Sequence, residues 1–294
     1  MQFDEVKKFS TPAAFRASLD QRLRDHATKH KVAIRPVRVA VAFDRFLARA
    51  TALDTQEWVL KGGYALQLRG QHGRSTKDLD LMTRDQSSSR QNAGEDQAAL
   101  LREKLRLVVA VNLNDYFSFE VTGPTTLLTH PAKGGARFTV KAFVGGKVYE
   151  QFTIDAVVSE LDPVFDEEIV AQDWLGFAGI EPPRIRVLPK EQQFAEKLHA
   201  YTLPREDNEE NSRVRDLVDL AVMIRQGLAE DAVEISVKLI FAIRNRQDKP
   251  DPIDDPPVSW TEEFNALAAE SNLPFSMSDA ISLVRTFVDG LKLE

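Results

Sequence analysis

Asp78 and Asp80 stand one residue apart in the run WVLKGGYALQLRGQHGRSTKDLDLMTR, Trp58 to Arg84, downstream of the pair Gly62-Gly63. Side chains alternate faces in an extended segment, so both carboxylates point the same way. Like charges so placed repel each other unless a cation sits between them. Mg²⁺ characteristically binds through one or two carboxylates plus the phosphates of a substrate. A Gly-Gly turn leading into a short helix lets backbone N–H groups approach phosphate oxygens with no Cβ in the way. Arg74, Thr76 and Lys77 add positive charge and a hydroxyl just upstream of the pair. Asp155 falls between Ile154 and Ala156 in an otherwise apolar strand, where an unpaired carboxylate would be costly. Carboxylates on adjacent strands can hold two metal ions, one activating a hydroxyl and the other neutralising a triphosphate and its leaving pyrophosphate. The expectation is a metal-dependent nucleotide site. Each residue also has a plain structural reading: water-facing aspartates, a turn without a ligand, or an N–H acceptor at a strand end.

The elements that must position these residues follow from periodicity. Thr11-Pro12 opens a helix with Phe15, Leu19 and Leu23 on one face, and a second periodic segment follows Pro36. Trp58 to Leu60 and Asp78 to Met82 read as strands, with a polar loop from Gln86 to Gly94 and a helix from about Asp96 to Val109. Phe117 to Val121 is a strand, and ARFTVKAFV and KVYEQFTIDAVV flank Gly145-Gly146 as a hairpin. Beyond Pro182-Pro183 the pattern becomes helical, with Phe194, Leu198 and Tyr201 on one face and Leu217, Leu220, Ala221 and Ile224 on another. Arg205 to Ser212 reads as an exposed loop, and Val233 to Arg246 as a helix before a Pro- and Asp-rich loop. Thr261 and Ser278 mark the starts of two terminal helices. The fold class is α+β: residues 1–180 built round a mixed sheet with N-terminal helices, and residues 181–294 a helical domain.

Whole-chain properties constrain less. With 294 residues, 43% apolar and 28% charged, the composition is that of a globular protein. The absence of cysteine excludes disulfides and thiolate metal sites. No apolar run has the length of a membrane span, and nothing at the start resembles a signal peptide, so a cytoplasmic protein with no membrane partner is expected. The expected oligomeric state is a monomer. The net charge of −7 argues against non-specific coating of nucleic acid. A local basic groove stays open, because a field depends on where charges lie. Arg184, Arg186, Lys190, Arg213, Arg215, Arg244 and Arg246 are the residues that would line one. His199 and the other four histidines lack metal-ligand spacing, and no Walker A loop is present.

The blocks FDRFLARA, WVLKGGYALQLR, RSTKDLDL, TIDAVV, FAEKLHAYTLPR and RVRDLVDLAVMI, in this order over about residues 36–226, resemble the AbiEii/AbiGii nucleotidyltransferase toxins, whose mycobacterial members are the MenT-type toxins. The resemblance implies a polymerase-β-like minimal nucleotidyltransferase core with a helical C-terminal lobe. It implies metal ligands at Asp78 and Asp80 with Asp155 at a weaker acidic position, and catalytic roles for these three with Lys197, Asp216 and Asp219. Nucleotide contacts are expected at Lys61, Gly62, Gly63, Arg74, Thr76, Lys197 and Arg215, where many relatives carry lysine in place of Arg215. Thr76 matches a site of antitoxin-directed phosphorylation in some relatives. The implied activity is Mg²⁺-dependent (or Mn²⁺-dependent) transfer of NMP from an NTP to an RNA acceptor, with the tRNA 3′ end foremost, by a toxin with a cognate antitoxin. Two alternatives stay open: transfer to a protein or small-molecule hydroxyl, and a non-catalytic antitoxin- or RNA-binding protein of the same fold.

Overall fold

The computed structural model describes residues 9–54, 57–70, 76–84, 94–128, 134–159, 163, 167–204, 210–244 and 253–293. The chain forms two compact units. One takes in the described residues of Met1–Tyr64, Thr76–Asp162 and Glu167–Val187; the other those of Ala65–Ser75, Pro163–Asp166 and Leu188–Glu294.

The first unit is a mixed seven-stranded sheet with helices. In chain order it contains α1 (Pro12–His30), α2 (Ile34–Leu53), β1 (Trp58–Lys61), the first turn of α3 (Gly62–Arg69), β2 (Asp78–Arg84) and α4 (Glu95–Ala110). Then come β3 (Phe117–Leu128), β4 (Gly135–Val144), β5 (Lys147–Ser159), β6 (Glu167–Val170) and β7 (Arg184–Val187). The strand order is β3-β4-β5-β2-β1-β7-β6. β2 runs parallel to β5 and β1 parallel to β7, while the other pairs are antiparallel.

Alternation decides which face of the central strands is buried. Leu79, Leu81, Phe138, Val140, Ile154 and Ala156 are all fully buried. On that face Phe152 meets Phe43 and Phe46 of α2 edge-on, at centroid separations of 4.9 and 6.1 Å. The intervening residues Asp78, Asp80, Arg137, Thr153 and Asp155 are only half-buried and lie on the other face. α2 is further tied to the start of β3 through Asp115, whose two carboxylate oxygens accept from Arg49 Nη2 (2.7 Å) and Arg45 Nε (2.8 Å). Burial would raise the Asp115 pKa, but the two guanidinium groups outweigh it and hold the carboxyl below its ordinary value.

The second unit contains the rest of α3 with α5 (Lys190–Thr202), α6 (Val214–Gln226), α7 (Glu230–Arg244), α8 (Thr261–Glu270) and α9 (Met277–Asp289). Phe194, Leu198, Leu217, Leu220 and Ala221 are fully buried, and Tyr201 nearly so. Gly227 ends α6 with φ +83°, a conformation that suits glycine.

Three expectations need correcting. The chain does not turn helical directly after Pro183: Arg184–Val187 is a strand, β7, paired parallel to β1. Its RIRV alternation is too short to stand out as a strand, and pairing to β6 on one side and β1 on the other supplies what propensity does not. The cap of α9 is Ser276, which forms a capping box with Asp279, and not Ser278, which lies inside the helix. Thr261 is the first residue of α8, not its cap; its hydroxyl donates to the Val258 carbonyl at 2.8 Å. The loop expected from Gln86 to Gly94 lies outside the described residues except for Gly94, as do residues 205–209 of the loop expected from Arg205 to Ser212.

Candidate active site

β1 and β2 form the floor of the site. Asp80 pairs with Lys61 of β1 on one side and with Asp155 of β5 on the other, and Asp155 in turn pairs with Arg137 of β4. Directly paired residues share a face, so Arg137, Asp155, Asp80 and Lys61 form one transverse row of charges, cations outside and carboxylates inside. Asp78 lies one pleat along, paired with Thr153, whose hydroxyl donates to Asp78 Oδ1. Three carboxylates thus share one half-exposed face of the sheet.

Gly62 closes the site against Asp80. It has φ +70°, and a Cβ built there would lie 1.9 Å from Asp80 Oδ2 and 2.8 Å from Asp80 Cβ. Any other residue at 62 would occupy the space of the carboxylate. Gly63 is buried inside the first turn of α3, and Tyr64 after it is fixed in the core, its hydroxyl donating to Asp44 Oδ1 at 2.6 Å. Burial pushes the Asp44 carboxyl up to about 7, against the pull of that hydrogen bond. Upstream of the pair, Thr76 is half-buried; its hydroxyl donates to the Asp78 carbonyl (3.1 Å) and accepts from the Asp78 N–H (3.4 Å). That local loop fixes how the chain enters β2. Arg74 lies outside the described residues.

Both oxygens of Asp155 are engaged by Arg137: Nε donates to Oδ1 at 2.6 Å and Nη2 to Oδ2 at 2.7 Å. The bond to Asp155, reinforced by the charges of Asp155, Asp78 and Asp80, drives the Arg137 pKa further above its already high value. Among the described residues no group of three or more His, Asp or Glu side chains is arranged to hold a metal ion. The donor chemistry of Asp78 and Asp80 fits a hard divalent cation. Asp155 offers such a cation only oxygens that a guanidinium already holds.

Most of the remaining charged residues singled out in the sequence belong to the second unit, while Arg184 and Arg186 stand on β7 of the first. Lys197 of α5 places Nζ 2.7 Å from Asp216 Oδ1 and 2.8 Å from Asp219 Oδ2, both on α6. Burial would lower the Lys197 pKa, but the two carboxylates outweigh it and raise it above the ordinary lysine value. Lys197 is therefore a fixed ammonium. Arg215 is mostly exposed and pairs loosely with Glu263 at 3.9 Å. Of the basic residues suggested for a groove, Arg186 is buried, Lys190 donates to the Gly227 carbonyl (2.6 Å), and Arg213 and Arg244 pair with Asp216 (3.7 Å) and Glu196 (3.5 Å). Arg184 is exposed, and Arg246 lies outside the described residues.

Arg137 and Thr153 escaped the sequence reading although both touch the acidic patch. The available signal was alternation: each shares the outward parity of its strand, as Asp155 does.

Comparison with known proteins agrees with this fold. The family model described as the nucleotidyl transferase AbiEii toxin of type IV toxin–antitoxin systems matches residues 45–277. The chain resembles the solved structure of MenT4, a nucleotidyltransferase toxin from Mycobacterium tuberculosis H37Rv, with TM-score 0.59 and 18% identity over 93% of this chain and 90% of that one. Likeness to JHP933 from Helicobacter pylori is weaker, with TM-score 0.40 and 12% identity over 83% of this chain and 87% of that one. No curated protein matches in sequence. No helix among the described residues is long and apolar enough to cross a membrane.

Proposed function

Because the chain belongs to the family of AbiEii nucleotidyltransferase toxins, we propose that it transfers NMP from an NTP to an RNA 3′ end, foremost that of tRNA, and so arrests translation until a cognate antitoxin restrains it. The observation that carries this reading is the placement of Asp78 and Asp80 together on the half-exposed sheet face, with Gly62 against Asp80. These two aspartates would hold Mg²⁺ or Mn²⁺. When bound, the ion supplies charge neutralisation for the triphosphate and eases ionisation of the attacking hydroxyl.

The chain's own residues do the rest. Thr153 orients Asp78 through its hydroxyl, leaving Oδ2 of that carboxylate directed away from the bond. Gly62 and Gly63 bring backbone close to the phosphates without a Cβ in the path. Lys61, at the end of the charged row, adds positive charge beside Asp80. In the second unit Lys197 is held as an ammonium by Asp216 and Asp219, and the role we propose for it is phosphate binding. Thr76, whose hydroxyl sits at the entrance to β2, is the site at which phosphorylation would silence the enzyme, since about −1.5 to −2 charges there would oppose a triphosphate.

The direct test is incubation with each labelled NTP, total RNA and Mg²⁺ or Mn²⁺, followed by sequencing of RNA 3′ ends. Label on RNA that disappears with Asp78→Ala is the expected result. Label on protein bands would move the acceptor elsewhere. Absence of transfer with every nucleotide and both metals would refute the proposal.

A further inference from the structure

We propose that Arg137 is a triphosphate-binding residue of this site, and that Asp155 is its positioning residue and not a metal ligand. This rests on the reading of the patch as an NTP site and deepens it by dividing the three carboxylates between two tasks.

The geometry carries the division. A bidentate guanidinium–carboxylate pair is among the strongest side-chain interactions, because two parallel N–H donors meet two oxygens. Asp155 is spent in such a pair, at 2.6 and 2.7 Å, and its side chain is only 17% exposed. Nε and Nη2 of Arg137 both go to Asp155, and neither is directed to Asp78 or Asp80. The Arg137 side chain, by contrast, is 41% exposed, and Nη1 makes no hydrogen bond among the described residues. An arginine whose Nε edge is anchored and whose outer nitrogen stays available is oriented for a second anion, and phosphoryl oxygens suit that fork. The cation also stands on the same face as the proposed metal-binding pair, close enough to feel both charges. Asp155 therefore prevents Arg137 from collapsing onto Asp78 and Asp80, where it would compete with the metal.

The test uses the full chain and two probes that do not depend on base identity: Mn²⁺ alone, followed by the EPR signal of free ion, and inorganic tripolyphosphate in the presence of Mn²⁺, followed by calorimetry. Arg137→Gln is expected to weaken tripolyphosphate about tenfold or more while Mn²⁺ affinity does not fall. Arg137→Lys, which keeps the charge and loses the fork, recovers part of that loss. Asp155→Asn is expected to keep Mn²⁺ affinity within about twofold and to weaken tripolyphosphate, and adding it to Arg137→Gln costs nothing more, since it acts through the same group. Asp78→Asn is the reference for losing a metal ligand. Matching melting profiles establish that each variant is folded. The proposal alone is overturned if Asp155→Asn loses Mn²⁺ as Asp78→Asn does, or if Arg137→Gln leaves tripolyphosphate unaffected. Wild-type protein that binds neither probe overturns the site reading and this assignment together.

Discussion

Replacing Gly62 by alanine adds one methyl group, and the structure gives it two separate costs. The first is conformational: φ is +70°, and a residue with a Cβ pays roughly 1–2 kcal/mol to adopt the left-handed region. The second is steric. The new Cβ would lie 1.9 Å from Asp80 Oδ2, 2.5 Å from Cγ and 2.8 Å from Cβ. Rotating the carboxylate relieves the first two contacts but not the third, because Asp80 Cβ is fixed to β2, whose ladder pairs Asp80 with Lys61 immediately before Gly62. The strand must shift, an overpacking cost of about 1–3 kcal/mol. Together these predict a loss of about 2–5 kcal/mol of stability, with the Asp80 carboxylate driven from its place.

Gly146→Ala separates the two costs. Gly146 has φ +73°, and a Cβ added there would meet nothing within 4 Å, so alanine at this position bears the conformational cost alone. Urea unfolding of the two variants should place Gly62→Ala about 1–3 kcal/mol below Gly146→Ala. Mn²⁺ titration should show a loss of at least about tenfold for the former and none for the latter, the equivalent of about 1.4 kcal/mol of binding free energy. Equal stability of the two variants, with Mn²⁺ affinity retained in Gly62→Ala, would refute the claim that this glycine exists to admit Asp80.

Further perturbations address other links. Lys197→Met leaves Asp216 and Asp219 without their shared counter-ion in a largely buried position, so a destabilisation of about 3–5 kcal/mol and loss of transfer are expected; an unchanged melting temperature would show the pair to be solvated. Thr76→Val removes a hydroxyl that, among the described residues, bonds to the Asp78 backbone, costing about 1 kcal/mol with the fold intact, whereas Thr76→Glu should weaken tripolyphosphate binding; equal binding by the two variants would discount charge at this position. Asp44 yields a pH signature. Its carboxyl titrates near 7 when folded against 3.8 for the free group, so its relative stability is greatest below about pH 4 and declines as pH rises to about 7. Over about three pH units, at about 1.36 kcal/mol each, the decline amounts to about 4 kcal/mol, more than half of it between about pH 5 and 7. Unfolding of wild type and Asp44→Asn across that range should therefore diverge, and parallel curves would show Asp44 ionised throughout.

Much of this site was legible because alternation and the Gly-Gly pair are local signals. Asp78 and Asp80 share a face by spacing alone, and Asp155 stands out as a charge within TIDAVV. The amphipathic stripes placed α5 and α6, but the ion pairs of Lys197 with Asp216 and Asp219 lie between two helices and no local pattern announces them. Short β7 was missed because four residues with two arginines carry little pattern, and what fixes it is pairing on both sides, to the equally short β6 and to β1, more than a hundred residues away in sequence. The resulting pairing is a tertiary fact.

Arg137 was hidden for a subtler reason, which lies in one residue of β5. Next to the Gly145-Gly146 turn, Val144 pairs with Lys147 and Phe143 with Val148. Continuing that register would set Arg137 against Ile154, whose side chain is fully buried on the opposite face. Tyr149 is an extra residue opposite no residue of β4, and beyond it the pairing resumes with Ala142 against Glu150, one position displaced. A bulge of this kind moves every later side chain relative to the facing strand. It carries Arg137 opposite Asp155, and so supplies a carboxylate-lined patch with its outer cation. The turn chemistry of a hairpin specifies the register only up to the first bulge, and here the charged row that defines the site lies beyond it.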